Sequence, residues 1–240
     1  MKLINKLRAA RHNFCTAVVV AAGTSERMGE DKLSLPLGDT TVLGMTLRTL
    51  DRSDAVDELV VVTRAEKLDA VAELAKSLGL TKLKKLILGG DTRTRSALNG
   101  VLEADKRAKI IFIHDAARPL VTEEIIADAV HNAALYNAAA PAVPVKDTIK
   151  QAKNHSVKRT LERTELFAVQ TPQAFRAEII KGALLKAEQS GKQYTDDCAA
   201  AETFGAKVRL SLGSEENIKI TTPLDMELAR LILEQREASK

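Results

Sequence analysis

The 240-residue chain has no tryptophan, and aromatic residues make up only 3% of it. Base-stacking platforms for single-stranded nucleic acid are therefore poorly supplied. Cysteine is equally scarce: Cys15 and Cys198 stand far apart, with no CxxC or Cys/His spacing around either. Neither a disulfide framework nor a zinc site is indicated, and a reducing cytoplasm is the expected compartment. Long apolar runs are also missing. The longest, Ala17 to Ala22, falls far short of the ~20 residues that a membrane-spanning helix needs.

An excess of one charge is absent too, although the formal net charge of +4 and a pI near 9.0 suggest otherwise. Lys2, Lys6, Arg8 and Arg11 all precede the first acid, Glu26; without them 32 basic groups face 32 acidic ones. A phosphate-tracking surface needs a basic excess along one face, so neither nucleic acid nor a membrane is an expected partner. Residues 1–14 read as a basic extension, with Leu3, Ile4, Leu7 and Ala10 on one face of a short helix. A basic stretch before an apolar run imitates a secretory signal, but Phe14–Ala22 is Val-rich and flows into Gly23-Thr-Ser-Glu-Arg-Met-Gly without a processing-like break. A first strand is the expectation.

With 45% hydrophobic residues, the remainder, 15–240, can build the core of one large domain. Short β-branched runs at 17–22, 58–63, 84–88, 110–114, 140–145 and 207–212 alternate with helical spacing at 41–52, 65–78, 93–105, 122–137, 176–190, 196–204 and 223–236. Such alternation predicts an α/β fold with a doubly wound, mainly parallel sheet. Ile110-Ile-Phe-Ile, apolar without a break, reads as a central strand. Two helix starts have recognisable chemistry: Thr122 before Glu123 and Glu124, and Thr222 before Pro223. The polar interval at about 145–172 breaks the pattern. Two β-favouring pieces around Asn154-His155-Ser156 predict a protruding β-arm, and an arm with little core of its own is expected to pack against a second subunit in a homodimer.

Three clusters follow strands. Ala21-Ala-Gly-Thr-Ser-Glu-Arg-Met-Gly-Glu-Asp-Lys32 is a small-residue loop with two cations, suited to backbone contact with phosphates. It matches neither GxGxxG nor GxxxxGK[ST], and a βα turn with solvated charges explains it equally well. His114-Asp-Ala-Ala-Arg-Pro119 puts an acid where it can orient a hydroxyl or a Mg²⁺-bound water, or simply pair with Arg118 to close a turn. Gly89-Gly-Asp-Thr-Arg-Thr-Arg-Ser96 allows close approach of a flat ring, with Asp91 and Ser96 able to hydrogen-bond a base edge. Lys219, in Asn217-Ile-Lys-Ile-Thr221, has solvation as its ordinary explanation.

Taken together, AAGTSERMG with Lys32, GGDTRTRS, HDAARP, PVKDTIK, TLERTELFAVQTPQAF, YTDD and NIKITTPLD resemble, in family order across residues 17 to 228, the 2-C-methyl-D-erythritol 4-phosphate cytidylyltransferases of the non-mevalonate isoprenoid pathway. The resemblance implies a nucleotidyltransferase that uses CTP and a divalent cation such as Mg²⁺. It assigns the CTP triphosphate to Ala21, Ala22, Gly23, Thr24, Ser25, Arg27 and Lys32, and the cytosine to Gly90, Asp91 and Ser96. The acceptor's hydroxyls fall to Asp115 and Arg118, and its phosphate to Thr148 and Arg163, the latter reaching over from the other subunit. Thr171 lies beside that site, and Lys219 matches the second catalytic lysine. No side chain is assigned as a metal ligand except Asp115 as a candidate. Ser25 stands where the family usually has glycine, and Asp31 where it has proline, bringing a carboxylate next to Lys32.

The implied chemistry needs no general base, because a phosphate monoester is already mostly dianionic at neutral pH. It needs charge neutralisation as one anion attacks another. His114 is therefore expected to pack under the loop rather than to act. Two other readings remain: ribitol 5-phosphate as acceptor on the same fold, and, from a different class, a dinucleotide-dependent oxidoreductase or a catalytically silent nucleotide-binding protein.

Overall fold

A computed structural model of the chain describes residues 13–23 and 31–238. The expected N-terminal helix, and with it Thr24, Ser25 and Arg27, lies outside the described residues. The strands in chain order are β1 (Cys15–Val20), β2 (Pro36–Leu37), β3 (Thr40–Thr41), β4 (Glu58–Thr63), β5 (Leu83–Leu88), β6 (Ile110–Asp115), β7 (Ala138–Pro144), β8 (Lys150–Lys153), β9 (Ser156–Thr160), β10 (Phe167–Val169), β11 (Gln173–Arg176) and β12 (Arg209–Leu212). The helices are α1 (Val42–Arg52), α2 (Leu68–Ser77), α3 (Arg93–Glu103), α4 (Glu123–Tyr136), α5 (Ala177–Ser190), α6 (Asp197–Phe204) and α7 (Pro223–Ala238).

Strands β5, β4, β1 and β6 lie side by side and parallel, and β11 joins β6 antiparallel. Residue alternation along these strands sends side chains to opposite faces. Ala17, Val19, Leu59, Val61, Ile110 and Phe112 pack against α1, α2 and α4 on one side. Val18, Val62, Ile111 and Ile113 pack against α3, α5 and α6 on the other. Both faces are covered, which is why these strands read as unbroken apolar runs. A third, smaller core seats α7 through Met226, Ala229 and Ile232 against Leu37, Val42, Leu120 and Ile220.

The structure departs from the sequence pattern where sheet pairing overrides composition. Ala139 pairs with Ala174 on one side and Arg209 on the other, and Ala142 likewise with Val169 and Leu212. Residues 167–176 thus run along one edge of β7 as β10 and β11, so the end of the interval read as the arm belongs to the main sheet. The expected helix over 65–78 splits into a 3₁₀ turn at Ala65–Lys67 and α2. Thr222 forms the expected cap as a reciprocal box: its N–H donates to Asp225 Oδ2 at 2.8 Å, and Asp225 N–H donates back to Thr222 Oγ1 at 3.4 Å. Thr122 occupies the N-cap position of α4 but makes no backbone cap bond; its hydroxyl is engaged by the Glu124 carboxylate instead.

The projecting hairpin is β8 and β9, joined by Asn154 and His155 at φ of 51° and 61°, the left-handed pair that a two-residue hairpin turn requires. Every residue of both strands is exposed.

Helix α3 approaches the sheet closely at Gly100, where an added Cβ would collide with Val18 Cγ1 and lie 2.8 Å from Val62 Cγ2. Overpacking of this kind costs about 1–3 kcal/mol. Gly100→Ala should therefore lower the unfolding free energy by about 1–3 kcal/mol, seen as a lower urea midpoint with an unchanged m-value.

Candidate active site

A cleft of about 340 Å³ opens beyond the carboxyl ends of β1 and β6, where ligands of parallel sheets bind. The chain leaves β1 through Ala21, whose N–H is held by Val62 O at 2.7 Å, and the loop after β5 is held by Gly89 N–H on Thr63 O at 2.8 Å. The two loops touch: a Cβ on Gly89 would sit 2.6 Å from that of Ala22. Ser96, 2% exposed, accepts from Gly90 N–H at 3.1 Å. Its hydroxyl therefore shapes the loop before it can serve any ligand.

Opposite these loops, Asp115 ends β6 at the centre of three cations. Lys219 Nζ is 2.8 Å from one carboxylate oxygen, Arg118 Nε 3.8 Å from the same oxygen, and Arg93 Nη2 3.7 Å from the other. Burial favours the neutral acid, but Lys219 and Arg93, followed by Arg118, outweigh it and hold the Asp115 carboxyl far below the usual range. Arg93 is itself fixed by Asp197, 1% exposed, through two contacts of 3.0 and 2.7 Å. Burial opposes the charge of Arg93, yet attraction to Asp197, their hydrogen bonds and Asp115 raise its pKa.

The structure brings Ala21, Ala22, Gly23, Lys32, Gly90, Asp91, Ser96, Asp115 and Lys219 to one cleft. Arg118 faces a neighbouring recess of about 390 Å³, which it shares with Lys146, Gln170 and Asn217. Thr148 and Arg163 line neither. They flank the exposed hairpin, and Arg163 Nη1 donates to Lys146 O at 2.9 Å. Thr171, expected beside the acceptor site, adjoins Gln170 and Asn217 of that recess but is 3% exposed, and its hydroxyl lies 3.1 Å from both Asp115 N and His114 Nδ1. It supports Asp115 from beneath rather than facing the recess. Asp31, the carboxylate next to Lys32 in the chain, accepts from Lys67 Nζ at 2.8 Å and from Leu33 N–H at 3.3 Å. Burial works against that carboxylate's charge, and the Lys67 contacts overcome it to keep the pKa low.

Arg93, Asp196 and Asp197 lie within GGDTRTRS and YTDD, where no local pattern gives them a role. Three buried amides likewise have no role assigned by a motif. Gln173 Oε1 accepts from Asp197 N–H and Cys198 N–H at 2.9 and 3.0 Å; Gln170 and Asn217 bond one another at 3.2 Å. Glutamine or asparagine inside otherwise apolar, strand-like stretches was the available signal, since buried amides need partners.

Among the described residues no group of three or more His, Cys, Asp or Glu side chains could hold a metal ion, and no helix is long and apolar enough to cross a membrane. Removing one partner of a buried ion pair costs about 3 kcal/mol or more. Asp197→Asn is therefore expected to reduce unfolding free energy by about that much, read by chemical denaturation.

A family model described as 2-C-methyl-D-erythritol 4-phosphate cytidylyltransferase matches residues 15–235. A protein of that name from Caldanaerobacter subterraneus is 42% identical over 222 residues, 91% of this chain and 98% of that one. Another, from Alkaliphilus metalliredigens, is 38% identical over 226 residues, covering 92% and 94%. Among solved structures, a 4-diphosphocytidyl-2C-methyl-D-erythritol synthase from Anaerococcus prevotii superposes with a TM-score of 0.84 at 29% identity, covering 93% of this chain and 97% of that one. The enzyme of Thermus thermophilus gives 0.74 at 28% identity, covering 90% and 98%.

Proposed function

The chain belongs to the 2-C-methyl-D-erythritol 4-phosphate cytidylyltransferase family, and from that premise we propose how its residues carry the reaction. CMP passes from CTP to 2-C-methyl-D-erythritol 4-phosphate, giving 4-diphosphocytidyl-2-C-methyl-D-erythritol and pyrophosphate. The observation that carries this reading is the convergence of Lys32, Lys219 and Asp115 with the Ala21–Gly23 and Gly90–Asp91 loops on one cleft.

The acceptor phosphate attacks as a dianion, in line with the leaving pyrophosphate, and no base removes a proton. His114 is in keeping with this: burial pushes its pKa down to about 4, too low for a base at neutral pH. The barrier is the approach of two anions, lowered by fixed cations in a partly dehydrated cleft. Lys32 and Lys219 serve the α-phosphate and Arg27 the leaving group. Ala21, Ala22, Gly23, Thr24 and Ser25 cradle the triphosphate with backbone N–H groups and hydroxyls. Gly90 and Asp91 meet the cytosine, with Ser96 bracing Gly90. The acceptor's hydroxyls meet Asp115 and Arg118. Its phosphate is met by Thr148 and, from the second subunit, by Arg163. A homodimer through the hairpin is supported by the exposure of Val157, Phe167 and Val169, apolar side chains along the hairpin and the adjoining strand.

The donor set fits a divalent cation such as Mg²⁺ carried on the nucleotide. Among the described residues Asp115 and Asp91 line the cleft, Asp115 beside the proposed phosphate groups, and Mg²⁺ is commonly held by one or two carboxylates plus substrate phosphates. Asp115 is already neutralised by three cations, so it would contribute one ligand and not a cage. When bound, the ion would offset phosphate charge. Two free, buried cysteines accord with action in the cytoplasm.

Lys32→Ala and Lys219→Ala should each lower CTP-dependent pyrophosphate release by about 100-fold or more while circular dichroism stays unchanged. Near-full activity in both would defeat the assignment. Mixing inactive Arg163→Ala and Lys219→Ala subunits should restore some activity if the site is shared across a dimer. Assay of four nucleotides against methylerythritol and ribitol phosphates should favour CTP with the former; an NAD(H)-induced thermal shift without a CTP shift would overturn the reading.

A further inference from the structure

Beneath Asp115 lies a closed ring of hydrogen bonds whose direction can be worked out. His114 is fully buried, and its Nε2 lies 3.2 Å from Arg118 O. A carbonyl only accepts, so Nε2 carries the hydrogen. Among the described residues neither ring nitrogen meets a carboxylate that would balance a second proton, so the fully buried ring carries one hydrogen, which leaves Nδ1 bare. Nδ1 must then accept, and the group facing it at 3.1 Å is the Thr171 hydroxyl. That hydroxyl spends its one hydrogen on Nδ1 and accepts from Asp115 N–H at 3.1 Å. Every donor in the sequence Asp115 N–H, Thr171 O–H, His114 Nε2–H has one acceptor and no alternative.

The ring continues to the other lysine-bearing segment. Arg118 Nη1 donates to Asn217 O at 2.6 Å. Asn217, fully buried, donates through Nδ2 to Thr171 O at 3.0 Å and to Gln170 Oε1 at 3.2 Å. Gln170 in turn grips Ser214 at both its O and its N–H. Ile220 N–H donates to Ala117 O at 2.8 Å. Lys219 is therefore bracketed by Asn217 and Ile220, each tied to the turn that carries Asp115 and Arg118.

We propose that His114, in its Nε2–H tautomer, and Thr171 are positioning residues for cytidylyl transfer, setting the Asp115 backbone and, through Arg118 and Asn217, the Lys219 ammonium against the reacting phosphates. Neither touches substrate. The proposal rests on the functional reading above for Asp115 and Lys219. Its structural half, the direction of the hydrogen bonds, stands apart from turnover. Thr171→Val is isosteric and removes the hydroxyl, so Asp115 N–H and His114 Nδ1 lose their shared partner. Thr171→Ser keeps it.

The test is made on the full-length protein in two arms. Nitrogen-15 NMR of the resting enzyme should show His114 with Nδ1 unprotonated and Nε2 protonated, and Thr171→Val should change the Nδ1 shift. In steady-state assays, misplacement of a catalytic group costs up to about 100-fold. Thr171→Val should accordingly lower kcat by about 10- to 100-fold with the KM for CTP within about twofold, and Thr171→Ser should return kcat to within about threefold of wild type. An Nδ1–H ring in the wild type, or Thr171→Val with unaltered kcat, would overturn the proposal. If Thr171→Val fails to fold, His114→Gln, which keeps a donor toward Arg118 O, should show the same loss in kcat at constant KM, and wild-type kcat there would overturn it equally. A wild-type protein that does not transfer CMP would count against the functional reading, while the tautomer is still decided on resting protein.

Discussion

A buried carboxylate surrounded by cations is the constraint on which the site depends. Asp115 is held ionised by Lys219, Arg93 and Arg118, drawn from three separate parts of the chain. Each of these cations would repel the others if gathered without it. With Asp115 present they can be concentrated at the end of the sheet, where the proposed reaction would bring two anions together. The carboxylate is best understood as the counter-charge that holds these cations together before any polyanion binds.

The rest of the architecture supplies rigidity to that arrangement. Ile110 to Ile113 are fully buried between β1 and β11, so the residues that follow them emerge from a fixed point. Arg93 is aimed by a two-point contact with Asp197, whose helix start is in turn capped by Gln173. The residues that look least functional, buried glutamines, an asparagine and a neutral histidine, connect the cations to one another. Most of their polar atoms are paired within the protein, which limits the cost of a polar interior, although Asn217 Oδ1 and Arg118 Nε find no hydrogen-bond partner among the described residues.

The parallel sheet was legible because strands covered on both faces must be apolar throughout, and Ile110-Ile-Phe-Ile is unambiguous in that respect. The hairpin turn was legible because Asn154-His155 suits left-handed backbone. The edge was not. Phe167–Val169 and Gln173–Arg176 are short and of mixed composition, and only pairing along β7 and β6 makes them strands. Among residues that line the cleft, Lys32, Lys219 and Asp115 are singled out by the ordered motifs, whereas Arg93 and its partner Asp197 sit inside those motifs without a local signal. Their importance comes from a contact across 104 positions that no local spacing announces.

What the sequence determined by itself was the inventory: the alternation that yields an α/β sheet, a loop of small residues after the first strand, and a body whose 32 basic groups balance 32 acidic ones. Periodicity and residue type are local properties and can be read locally. Tertiary structure decided the assignments within that inventory. It turned Thr171 and Ser96 inward as braces, drew Asp31 to Lys67, and made His114 a link in a buried ring. A side chain's role follows from which partners compete for its few hydrogen-bonding groups, and those partners are chosen only when distant segments close on each other.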